Sequence, residues 1–197
     1  MKKHMLAVSA LALALALGAS SAYADNAVGL ITFDGAVTDT TCKITTNNGV
    51  EANNVTISLP VVQKADVKGA SLDTRGVGAK EFELKLTECP AGAYEKASVT
   101  FTSQQFAELS NGTLKPDPTV AGAAQNVSLA LFNNTSADQT QIKIGDMNAT
   151  QVADISSGEG SLAFMVSYVP SADYNETTND IVAGKVSSNT TFTMSYE

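Results

Sequence analysis

The sequence predicts an all-β sandwich of immunoglobulin-like architecture. Short stretches of alternating apolar and polar residues recur along it, clusters of Gly, Asn, Asp, Ser and Pro separate them, and no sustained 3.6-residue period appears. Strands of that length and spacing pack as two facing sheets. There is no tryptophan and hence no Cys-Trp-Cys core of the antibody kind, so the label describes architecture alone.

The first 24 residues stand apart. Lys2 and Lys3 precede the apolar stretch MLAVSALALALAL and the small-residue sequence Ala22-Tyr23-Ala24, the pattern of a secretory leader with an A-x-A cleavage site. Of 197 residues this leaves 173, enough for one domain. No other run approaches the roughly 18 apolar residues of a membrane helix, so no membrane insertion is expected.

From Asp25, DNAVGLITFDGAV reads as an extended arm in which Gly29, Ile31, Phe33, Gly35 and Val37 share one face. After Cys42 comes the turn-rich TTNNGVEANN, then VTISLPVV. Residues 64–73, KADVKGASLD, hold a short helical turn at most. EFELKLTEC (81–89) is the clearest amphipathic strand, with Phe82, Leu84 and Leu86 on one face and Glu81, Glu83 and Lys85 on the other. Further strands are expected over 97–103, 127–133, 140–146 and 161–169, and at the end of the chain. There Phe192, Met194 and Tyr196 alternate with polar residues.

Export places Cys42 and Cys89 in an oxidising compartment, where one disulfide closing a 47-residue separation is the expectation. A two-thiol metal site is the competing reading, with no histidine to complete it. The one histidine, His4, lies in the leader, so the mature chain has no Ser-His-Asp triad, Cys-His pair or His-based metal site. Gly-rich phosphate loops and EF-hand patterns are also missing. No cofactor and no enzyme activity are expected. Without Lys2 and Lys3 the chain keeps ten basic and twenty acidic residues, a net charge of −10 that argues against nucleic-acid binding.

The two ends remain to be explained. A terminal strand with an apolar face and unpaired backbone is an aggregation template unless something pairs with it. A sandwich one strand short at one end, with a spare strand at the other, satisfies itself through another copy by strand addition.

At this point the chain resembles a structural, major-type subunit of a chaperone-usher fimbria, of the type 1 pilin-like family. The resemblance rests on ITFDGAV leading to Cys42, on VTISLPVV, on FELKLTECP and above all on GKVSSNTTFTMSYE, in which Gly184 stands fourteenth from the end and Tyr196 is penultimate. It implies an incomplete immunoglobulin-like sandwich that lacks its final strand and is completed by donor-strand exchange. Residues 1–24 would be the leader, 25–37 the donor arm and 38–197 the pilin domain. Ile31, Phe33, Gly35 and Val37 would enter a neighbour's groove. Gly184, Val186, Phe192, Met194 and Tyr196 would form the C-terminal strand and flank the chain's own groove. The implied partners are copies of itself and other pilus subunits, a periplasmic chaperone and an outer-membrane usher, with passage through the periplasm to an extracellular fibre supporting adhesion. A minor adaptor subunit and a self-complete secreted binding module are the alternatives.

Overall fold

Alternation and turn chemistry put the strands almost where the sequence predicts them, in a computed structural model that describes residues 41–46, 55–148 and 151–197. The leader, the arm with Ile31, Phe33, Gly35 and Val37, and the stretch 47–54 lie outside the described residues.

The larger sheet runs in the order β1 (Lys43–Thr46), β2 (Val77–Thr87), β9 (Gly160–Pro170), β6 (Val127–Asn133), β5 (Thr113–Leu114), β4 (Ala107–Glu108), with β7 (Gln141–Ile142) also pairing β6. The smaller has the order β10 (Thr191–Tyr196), β3 (Lys96–Thr102), β8 (Val152–Asp154). All these pairings are antiparallel. Between the sheets, Leu84 and Leu86 of β2, Leu129 and Leu131 of β6, and Leu162, Phe164 and Val166 of β9 meet Ala97, Val99 and Phe101 of β3. The Phe164 ring stands 5.3 Å from Phe82 and 5.3 Å from Phe101, edge-on to the latter, an arrangement the ring quadrupoles favour.

The strand β6 is buried along its whole length. Its second face, Ala130 and Phe132, forms a separate cluster with Met165, Val169 and Leu72. Short helix α1 (Lys64–Lys68) buries Val67, and the Arg75 guanidinium lies 5.6 Å over the Phe132 ring. Lys64 and Lys68 pair with Asp180 at 2.7 and 2.9 Å, tying the helix to the loop after β9. No helix among the described residues is long and apolar enough to cross a membrane.

Two expected strands come out shorter. Of 140–146 only Gln141 and Ile142 pair with β6. Beyond them Ile144 N–H bonds Gly112 O and Gly145 N–H bonds Phe101 O, which carries the chain from the larger sheet to the smaller. The terminal strand begins at Thr191, because residues 182–188 are committed to the segment 115–125: Val182 exchanges hydrogen bonds with Gln125, and Lys185 bonds Gly122 and Ala124.

Cys42, just before β1, and Cys89, just after β2, form a disulfide with Cα atoms 4.1 Å apart. In the chain-entropy model, closing this loop removes unfolded-state freedom worth about 4 kcal/mol. Reduction is therefore expected to lower unfolding stability by about that much, as read from urea titrations of the oxidised and reduced chain.

Candidate functional site

One feature of β10 follows from its register. Lys96 and Glu197 exchange backbone hydrogen bonds in both directions, each 2.9 Å. In an antiparallel ladder such pairs alternate with pairs that do not bond each other. With Tyr196 opposite Ala97, Met194 opposite Val99 and Phe192 opposite Phe101, the N–H and C=O groups of these three point away from β3. Their side chains are half-buried against the core, while Thr191, Thr193 and Ser195 face out. Among the described residues β10 pairs on one side only. The residues that present apolar side chains inward thus also present their backbone groups at the open edge.

Beside that edge runs a groove of about 790 Å³. Its floor is apolar: Phe82 and Leu84 of β2, Phe101 of β3, Leu114 of β5, Leu129 and Leu131 of β6, and Val166 of β9. One end holds Thr41, Cys42 and Lys43. Ser188 to Phe192 form one rim, and Val55, Ile57 and Leu59 line the groove as well. These last three are half-buried while Thr56 and Ser58 are exposed, the burial pattern of a strand. Yet no described residue makes a backbone hydrogen bond with residues 55–59. Apolar walls beside backbone on β10 and on 55–59 that no described residue pairs are what an extended peptide needs. No group of His, Cys, Asp and Glu suited to a metal occurs among the described residues.

Of the sequence-derived acceptor residues, Phe192 lines the groove directly. Met194 and Tyr196 continue its face along β10; the Tyr196 ring lies 5.6 Å from that of Tyr94, tilted by 40°, and burial pushes its hydroxyl pKa up. Val186 packs against the core ahead of the strand. Gly184 sits where a Cβ would come within 2.4 Å of Gly122 O and 2.6 Å of Ala124 N, so its missing side chain permits the backbone contact that anchors this segment. The wall at 55–59 carries a visible signal, the alternation in VTISL. The floor residue Leu114 belongs to no motif, and nothing local marks it.

A buried carboxylate stands behind Leu114. The Glu108 side chain is 3% exposed, and its Oε2 accepts from Thr113 Oγ1 (2.9 Å), Ser128 Oγ (3.0 Å) and Ala172 N–H (3.1 Å). Oε1 lacks a well-aligned hydrogen bond and faces Lys115 Nζ at 3.2 Å, an ionic contact. Burial pushes the Glu108 pKa up, but these donors together outweigh it and hold the group below the ordinary value.

Asp180 is held at about 2, chiefly by Lys64 and then Lys68. Asp117, Asp138, Asp146 and Asp154 are lowered by hydrogen bonds from the residue two positions on. Carboxylates depressed on folding stabilise the fold fully above their unfolded pKa values, about 4, and lose that contribution as pH falls through the folded ones. From these groups, the urea midpoint is expected to hold between about pH 5 and 7 and to drop below about pH 4, with the Asp180 share going last.

A family model described as fimbrial protein matches residues 31–197. The chain is 30% identical to the probable major fimbrial subunit LpfA of Escherichia coli O157:H7, across all of this chain and 98% of that protein. It is 28% identical to the major MR/P fimbria protein of Proteus mirabilis, across the whole of both. Its fold is similar to that of the P pilus rod subunit PapA, with a TM-score of 0.54 over 80% of this chain and all of that one at 13% identity. A chain from a chaperone-usher pilus gives a TM-score of 0.55 over 87% of this chain and 97% of its own length, at 15% identity.

Proposed function

We infer that this chain, which belongs to the fimbrial protein family and is a structural fimbrial subunit rather than an enzyme, joins its neighbours by strand exchange. Fimbrial subunits assemble into polymers, and the extracellular fimbrium is where this one works. The observation that carries the mechanism is the groove. Its floor is apolar, and Phe192, Met194 and Tyr196 turn their backbone groups toward the open edge beside it.

The occupant is the arm of the next copy. Residues 25–37 supply Ile31, Phe33 and Val37 on one face, with Gly35 where the strand passes a tight point. Each large apolar side chain buried is worth about 1.5–3 kcal/mol, and the ladder along β10 adds to it. Before assembly the same edge is covered by a strand lent by a periplasmic chaperone, and at an outer-membrane usher the incoming arm replaces it. Residues 1–24 direct export, and 38–197 form the pilin domain. The chain is a major, shaft-forming subunit; both relatives named above are described as major fimbrial proteins, which supports the first part of that reading. Comparing polymer formation by the mature chain with and without residues 25–37 tests the mechanism.

A further inference from the structure

We propose that Glu108 is a positioning residue for the strand-binding groove, fixing the end of it that Leu114 and Ser188 form; this rests on the strand-exchange reading. The β4–β5 hairpin is only two residues per strand, too short for its own ladder to hold Leu114 rigidly. The Glu108 carboxylate makes four contacts there that join three segments: Thr113 and Lys115 on either side of Leu114, Ser128 of β6, and Ala172 after β9. Leu114 lies between two of those contacts and presents its side chain to the groove floor. From the next residue, Lys115 O accepts the Ser188 hydroxyl at 2.8 Å, and Asp117 N–H bonds Ser187 O at 2.7 Å. Ser188 is part of the groove rim. Leu114 also pairs with Leu129 of β6, and Lys115 N–H bonds Phe106 O; the buried acid adds the side-chain tie that links this floor position to β6 and to the segment after β9, next to the residue that holds the rim.

The other end is held independently, by the Cys42–Cys89 disulfide. That independence makes the role of Glu108 separable from a general loss of stability. A carboxylate that only stabilises the fold weakens every contact of a bound strand alike. One that positions Leu114 and Ser188 weakens the contacts at one end.

The test uses polymers of the mature chain, with joint dissociation in detergent followed by gel at fixed temperature. Glu108→Gln keeps the shape and removes the charge, and is expected to speed dissociation about tenfold, the scale of hydrogen bonds to a charged group. Combined with Ile31→Ala or Val37→Ala, its effect should fall below about threefold with one of the two and persist with the other. Ser128→Ala, which removes one donor from a strand that is otherwise intact, should give the same one-ended pattern at smaller size and carries the test if Glu108→Gln does not fold. An effect of equal size with both arm variants, or below about twofold alone, overturns the proposal. Polymers formed by the chain that lacks residues 25–37 but is otherwise unchanged overturn strand exchange itself, and this inference with it.

Discussion

Removal of residues 25–37 from the mature chain is expected to abolish polymerisation and leave the domain folded. The three large arm residues Ile31, Phe33 and Val37 bring about 5–9 kcal/mol of apolar burial to a joint, at roughly 1.5–3 kcal/mol each. Without them the association constant falls by at least about a thousandfold, since each 1.4 kcal/mol is a factor of ten. The domain from Cys42 onward keeps its disulfide and both sheets, so its circular dichroism and its urea midpoint should stay close to those of the intact chain. The shortened chain also retains a groove. Mixed with intact subunits, it can accept an arm but offer none, and mean fibre length by electron microscopy should fall as its fraction rises. Fibres of normal length from the shortened chain alone would sink the mechanism.

Much of the fold was legible because burial of one strand face writes itself into the sequence at a period of two. The stretch 81–89 shows this: Leu84 and Leu86 are buried, and Glu81 and Lys85 are exposed. β6 was legible as a strand over 127–133, but its burial on both faces was not, because the cover over Phe132 comes from Leu72 and Arg75, more than fifty residues away. The groove divides in the same way. VTISL alternates as a strand does, yet alternation says nothing about whether the backbone finds a partner. Gly184 was marked by its place before the terminal strand, whereas the reason for a glycine there, contact with the backbone at 122–124, spans sixty residues. Glu108 left no local trace at all. An acid in a stretch without periodicity reads as a solvated side chain, and only the meeting of Thr113, Ser128, Ala172 and Lys115 around it makes it a buried one.

Phe192→Asp is expected to weaken the joint at least about a hundredfold, while Thr193→Asp, one residue further on, changes it by less than about threefold. Phe192 lines the groove opposite Phe101 in a pair that does not exchange hydrogen bonds, the closer of the two spacings in an antiparallel ladder. In the unassembled subunit that rim is only half-buried, so a carboxylate there can turn to water and the domain should still fold. Arrival of a strand removes the water. An unpaired carboxylate against Phe101 and Val166 then costs several kcal/mol, and the penalty falls on the joint. Thr193 pairs with Thr100 on the opposite face of β10 and is exposed, so the same charge there meets solvent in both states. The two variants share a strand, a charge change and nearly a position, and differ in the face they occupy. Equal loss of assembly in both would mean that β10 contributes through its general stability and not through the face it turns to the groove; a large effect confined to Phe192 would identify that face as the one the incoming strand covers.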